Sequence, residues 1–423
     1  MDHLEPLGAA VALSSFDQAP EPLRDTVDKA IRAVLVCTAL GIAGEWWVLP
    51  RRWPELGATG ERDLLGTAVA LGTLAGAADL DPMDIGPSHT PLAATLASGL
   101  AATVSEAPAE RIADGVLAGI DVALRLRRTI TGTRPGVGFH SPGVFGTVAA
   151  AAAAARTLCL SRAACADAVA IALTRAGGLA INSAATRIGL THFGWGVAHG
   201  VEAALLAAQG WTASHDLGKA LDTLFPGMAA EPSEQMLAAG PLLTAPDVIF
   251  KHYPCNIYLN LVVLALHDLQ PLDSAGEIRV DMPLIPHLDN AKPASVRAAR
   301  NSAQAVAGIV VGTGTGYDAF CGSADRWEPA DAVTDAANRV AVHMDPALST
   351  RLDQASVRVS DPGGRTSTRA MADLGPWGAD HAAALAAGVV APGLVDALYR
   401  LDHLGAFTAV LDLFHRTDAD RSR

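Results

Sequence analysis

A mostly helical chain carrying a second, α+β domain is the fold class this sequence predicts, on three observations. Hydrophobic residues fill 50% of the 423 positions and charged residues only 18%, which excludes a disordered chain. Aromatic residues supply just 5%, so the core must be built from Ala, Leu and Val, side chains that suit closely packed helices better than a β-sandwich. Apolar residues recur at helical spacing from about Leu23 to Leu266, and the pattern turns to alternation after Gln270-Pro271. A chain of this length also exceeds what one core usually organises, so two domains are expected.

The elements follow in order. Leu23–Ile42 has Val27, Ile31, Val34, Leu35 and Thr38 near helical spacing. Glu61–Ala78, Pro91–Val104, Ala109–Thr129, Ser141–Leu158, Ser161–Ala176, Gly194–Ala208 and Pro254–Leu266 continue the helical run, separated by Gly, Pro and Asp. Glu277–Met282, Arg339–Met344 and Ala355–Ser360 alternate as half-buried strands do. Asp361-Pro-Gly-Gly364 then reads as a turn into a polar strand, Arg365–Arg369. Ser295–Val311 reads as a helix between them. Helical patterning returns from His381, through Leu394–Leu401 and Leu404–Phe414, and the polar end from Arg416 is expected to fray. The expected organisation is a helical domain over residues 1–268 and 381–423, with the α+β unit, 269–380, inserted as a lid.

A formal charge of −13 without any Lys/Arg-rich run argues against nucleic acid or an anionic membrane as partner. The five cysteines, Cys37, Cys159, Cys165, Cys255 and Cys321, are scattered and form no C-x-x-C. They indicate neither a disulfide framework nor a Cys-rich zinc site. The N-terminal apolar stretch has no basic residues before it, and the uncharged stretch between Arg134 and Arg156 is broken by Pro and Gly. A soluble, reducing, cytoplasmic setting is expected.

Four polar constellations interrupt this background. Asp79-Leu-Asp-Pro-Met-Asp-Ile-Gly-Pro-Ser-His89 puts three carboxylates and a histidine on one loop, enough for acid/base work, although Asp and Pro are also ordinary turn formers. Gly136-Val-Gly-Phe-His-Ser-Pro-Gly-Val-Phe-Gly146 runs into seven alanines. Ser141 is placed as an N-cap with Pro142 behind it, so His140 would sit at the positive end of a helix, as a base or as a buried, hydrogen-bonded ring. Arg187 to His199 holds His192 just before an expected helix and His199 along it, where His199 reads as a surface or packing residue. No H-E-x-x-H pair is present. Lys251-His-Tyr-Pro-Cys-Asn-Ile-Tyr258 contains one of only four lysines in an arginine-biased chain, either a compact ammonium for a site or a snorkelling helix-end side chain.

In this order the segments resemble the MmgE/PrpD family, which includes 2-methylcitrate dehydratase, cis-aconitate decarboxylase and iminodisuccinate epimerase. The most specific stretches are GFHSPGVFGTVAAAAAAAR and HFGWGVAHGVEAALLAAQGWTAS; KHYPCNIY and DNAKPAS add support. The resemblance implies a large helical domain, a smaller α+β lid, no cofactor and a homodimer. Asp79, Asp81 and His89 fall in matching places of the family's acidic loop, while Pro82 and Met83 replace its second Asp and its Thr. His140 is the G-F-H histidine. His192 and Gly194 match the next motif, with Gly189 where the family has lysine. Lys251 is kept, Asn256 stands where decarboxylase-like members have histidine, and His287 falls where they have tyrosine. Met83, Gly189 and Asn256 thus remove a hydroxyl, an ammonium and an imidazole, which points to a less acidic or larger substrate than methylcitrate.

The expected function is a cofactor-independent lyase, foremost a dehydratase acting on a β-hydroxy carboxylate. His140 and His192 are the acid/base pair, Asp79 orients one of them and His89 assists. Lys251, Asp81, Met83, Asn256 and His287 line the substrate. An epimerase or decarboxylase using the same groups is the nearest alternative. A metal-dependent hydrolase and a non-catalytic carboxylate-binding homologue are more remote ones.

Overall fold

A computed structural model of the chain describes residues 4–44, 48–49, 63–86, 88–105, 111–130, 138–182, 186–228, 233–238, 240–272, 275–314, 326–378, 396–397, 400 and 402–421. Cys321, Gly136, the first residues of the expected helices at Glu61 and Ala109, and most of the one at Leu394–Leu401 lie outside the described residues. The protein is mostly helical with a small mixed sheet, and it divides into two compact units, Met1–Val248 with Gly378–Arg423, and Ile249–Trp377.

The first unit contains α1 (Leu4–Leu13), α2 (Glu21–Gly44), α3 (Leu64–Ala78), the two-residue strand β1 (Met83–Asp84), α4 (Thr90–Thr103), α5 (Arg111–Arg128), α6 (Thr147–Thr157), α7 (Arg162–Arg175), α8 (Ile188–Ala208), α9 (Leu217–Leu224) and α10 (Glu234–Leu237). Its centre is α6. The alanine run 149–155 is wholly buried, and α4, α5, α7 and α8 all pack on it. Methyl side chains let the neighbouring backbones approach closely, so the unit fills its core with few aromatics. A buried ion pair fastens the chain beyond α10 to α5. Arg125, fully buried, donates to Asp121 Oδ2 at 2.7 Å, to the carbonyls of Met236 at 2.7 Å and Ala238 at 2.8 Å, and to that of Gly240. Asp121 Oδ1 accepts from the amides of Leu242 and Leu243 at 2.6 and 2.7 Å.

The second unit holds α11 (Ile257–Asp268), β3 (Ile278–Pro283), α12 (Val296–Arg300), α13 (Ala303–Thr313), α14 (Asp331–Ala337), β4 (Val340–Asp345), β5 (Ser356–Ser360) and β6 (Thr366–Ala370), in the sheet order β4-β3-β5-β6; a two-residue strand, β2 (Val248–Ile249), lies at the division between the units. β3 and β4 run parallel, with Val280 opposite Val342, and β5 is antiparallel to both β3 and β6. The expected turn closes the β5–β6 hairpin: Gly364 N donates to Asp361 O at 3.0 Å with φ at 84°. Ile278, Val280, Val357 and Val359 are fully buried, as their alternation required. The division falls at Val248/Ile249 instead of 268/269 because α11 packs on β5, β6 and α13, which buries its apolar face inside the mixed unit.

Other expectations shift. The single helix expected over Ser295–Val311 is two, broken at Asn301, because Ser302 takes an extended conformation and caps α13 by accepting from Ala305 N at 3.0 Å. α11 begins at Ile257, where the Asn256 side chain caps it. The polar end does not fray at Arg416. It continues as α15 (His403–Arg421), whose Phe407 and Phe414 are buried and which packs on α2.

Candidate active site

Loop 79–89 is not an ordinary surface turn. Residues 80–84 and Ser88 are buried, with Asp81 and Asp84 fully so. Asp79 ends α3 in the left-handed region, φ 55° and ψ 30°, a conformation that Asp tolerates better than most side chains, and it turns the chain back over the helix end. His89 Nδ1 lies 2.5 Å from Asp81 Oδ2. With a carboxylate on Nδ1, the His89 proton-exchanging nitrogen is Nε2. Asp84 accepts from Thr90 Oγ1 at 2.6 Å and Gly86 N at 2.9 Å, and burial pushes its carboxyl up to about 6 against the opposing pull of those donors, Arg127 and His89. Met83 is buried in β1.

His140 is held by its backbone. Its N–H donates to Gly178 O at 2.7 Å, and Ala180 N donates to Gly138 O at 2.9 Å, a short bridge between segments far apart in sequence. Ser141 is not an N-cap. It is itself helical and its side chain makes no capping bond, because the next residues, Pro142–Gly146, form a π-helical turn. That turn fits only because Gly196 of α8 has no side chain: a Cβ there would lie 2.4 Å from Pro142 O. π-turns inside helices recur at functional sites.

α8 begins at Ile188, so His192 lies within its first turns, not ahead of them. Its ring meets His140, Nδ1 to Nδ1 at 3.0 Å. Two nitrogens at that distance share one hydrogen, so one ring donates and the other accepts. A hydrogen on both Nδ1 atoms would set two N–H donors against each other. Phe193, the next residue, stands edge-on to both His89 and His140, with ring centroids 4.8 and 5.6 Å away. The structure therefore joins His140 to His192 and Asp81 to His89, with one phenyl ring touching both pairs.

Beside His192 lies a cavity of about 290 Å³, lined also by Gly143, Arg175, Gly177, Gly178, Trp195, Gly196 and His199. Gly178, at φ 93°, passes so near the His192 ring that a Cβ would sit 3.0 Å from Cγ. Arg175 and Trp195 went unnoticed in the sequence, and His199 read as a packing residue; the spacing of His192, Trp195 and His199 on α8 was the available signal. Burial lowers the His199 pKa and the Arg175 charge adds to that, while Glu202 pulls the other way.

The remaining candidates belong to the second unit. Lys251 is 2% exposed. Asn256 is committed to structure: its Oδ1 accepts from Tyr258 N and its Nδ2 donates to Asn301 Oδ1, both at 3.2 Å. His287 sits in the turn Pro286–Leu288, its pKa lowered by burial and then by Arg297. Among the described residues, no three His, Cys, Asp or Glu side chains are grouped to hold a metal ion, and no helix is long and apolar enough to cross a membrane.

The cis-aconitate decarboxylase of Homo sapiens is 32% identical over 182 residues, 40% of this chain and 38% of that protein. The cis-aconitate decarboxylase of Mus musculus is 33% identical over 183 residues, 40% of this chain and 37% of that protein. The matches thus span well under half the length of either relative. The family model for the MmgE/PrpD N-terminal domain matches residues 7–233, more than half of the chain and every residue of the two histidine pairs. The chain belongs to the MmgE/PrpD family.

Proposed function

We propose that this protein is a lyase acting on a carboxylate, foremost a dehydratase of a β-hydroxy carboxylate. The observation that carries the reading is the His140–His192 contact at 3.0 Å in a member of this family. Elimination needs a base for the α-proton, an acid for the departing hydroxide and a stabiliser for enolate charge. In this reading the ring that donates the shared Nδ1–H takes the α-proton on its Nε2, the nitrogen that carries no hydrogen in that tautomer. The C–H electrons form the Cα–Cβ double bond as the Cβ–O bond breaks, and His89 donates from Nε2 so that hydroxide leaves as water. Asp81, against Nδ1, holds the imidazolium form of His89 that donates this proton, which makes it a positioning residue, and Asp79 is assigned to orienting the dyad. Met83, buried in β1 of the same unit, is assigned to lining the substrate.

Decarboxylation is the second reading, and the two relatives' names favour it. There the C–CO2 bond breaks and the carbon left with the electron pair takes a proton from the same dyad. Proton NMR in deuterated water, on β-hydroxy carboxylates and on cis-aconitate, separates the two: dehydration gives an alkene without CO2, decarboxylation releases CO2 and leaves solvent deuterium on carbon. His140→Ala and His192→Ala are each expected to remove most turnover with the fold intact. Rates like wild type in both would overturn the assignment.

A further inference from the structure

The cavity beside His192 has a composition that the functional reading does not explain. Four of its eight lining residues are glycines, which present bare backbone as one wall. The Trp195 and His199 rings, with centroids 5.3 Å apart and planes tilted by 31°, supply a π surface. Trp195 remains 45% exposed, a large apolar side chain that a ligand would cover. Arg175 is the one permanent cation in the lining among the described residues. It ends α7 and donates from Nη1 to Glu202 Oε2 at 2.5 Å, and Nε and Nη2 make no hydrogen bond among the described residues.

We infer that this cavity binds a monocarboxylate with a flat, apolar body, its carboxylate on Arg175 and its body against Trp195 and His199. The class follows from three restrictions. The volume, about 290 Å³, lies at the small end of ligand sites and is too little for a nucleotide or a thioester carrier. A single guanidinium serves one carboxylate with its free fork. A second carboxylate would find no other cation in the lining among the described residues and would meet Glu202, already beside Arg175. His192 closes one side, so a carboxylate held there presents its α-carbon toward the dyad. In that last respect the inference rests on the functional reading above; the binding itself does not.

The test is titration of the full chain with 3-hydroxy-3-phenylpropanoate, followed by Trp fluorescence and calorimetry, with citrate as the polycarboxylate control. Wild type is expected to bind the aryl probe saturably and citrate at least tenfold more weakly. Arg175→Gln should weaken the probe by about tenfold to a hundredfold, the loss of one charge-assisted pair, and Arg175→Lys by less. Trp195→Ala, at an exposed position, should weaken it and abolish the fluorescence change. His140→Ala should bind the probe normally while losing turnover. Equal affinity in wild type, Arg175→Gln and Trp195→Ala, or no probe binding by wild type, would overturn the inference and leave the lyase reading untouched. Arg175-dependent binding without turnover of any carboxylate would overturn the lyase reading and leave the cavity standing.

Discussion

Asp84 offers the sharpest test of the geometry around His89. Its carboxyl is fully buried, and burial raises it from 3.8 to about 6 despite bonds from Thr90 and Gly86 and the charges of Arg127 and His89. A carboxyl raised on folding binds its proton more tightly in the native state than in the unfolded chain. Its favourable contribution is therefore complete below about 3.8, falls across the window from 3.8 to 6, and is gone above it. A shift of this size is worth about 3 kcal/mol at 1.36 kcal/mol per unit. In a unit of roughly three hundred residues that corresponds to a difference of about 5 °C in melting temperature. Asp84→Asn keeps an acceptor for Gly86 N and cannot ionise. Melting curves of wild type and variant by differential scanning calorimetry, at half-unit steps from pH 4 to 7.5, should show the variant gaining stability relative to wild type as pH rises, with a plateau above about 6.5. A wild-type-minus-variant difference that does not change with pH would refute the reasoning, because it would mean that Asp84 is not desolvated as the packing implies.

Other consequences are equally direct. Arg125→Met leaves Asp121 buried and unpaired, a loss of about 3–5 kcal/mol that calorimetry should register, and adding Asp121→Asn should recover part of it. Gly196→Ala drives a methyl against Pro142 O at 2.4 Å, with an expected cost of about 1–3 kcal/mol and a drop in kcat as the π-turn after His140 shifts. Asp81→Asn removes the anionic partner of His89 and should lower kcat by about a hundredfold while KM changes little, with the alkaline limb of the pH–rate profile displaced to lower pH. A profile and kcat like wild type would show that His89 needs no such partner.

Much of the fold was legible in the chain. The helices at 23–42, 91–104 and 161–176 and the strands near 278, 340, 356 and 366 lie within a few residues of the periodic segments that announce them, because apolar spacing reports directly which face of an element is buried. Boundaries failed where one local bond decides: Ser302 capping a helix in mid-run, or a π-turn displacing the cap expected at Ser141. The acidic loop showed the right residue types but not their state, since burial by the folded unit raises the Asp84 carboxyl against the pull of its sequence neighbours Gly86, His89 and Thr90.

The sequence alone determined the helical class, the alternating segments, the small-residue core and the acid/base side chains the chain has to offer. Tertiary structure alone decided which of them meet: His140 with His192 across 52 positions, Arg175 with Glu202 across 27, and Phe193 between two histidines. The reason is physical. Periodicity and capping are set by backbone sterics within a turn or two, whereas a 3.0 Å contact and a desolvated carboxyl depend on how helices cross and what they exclude.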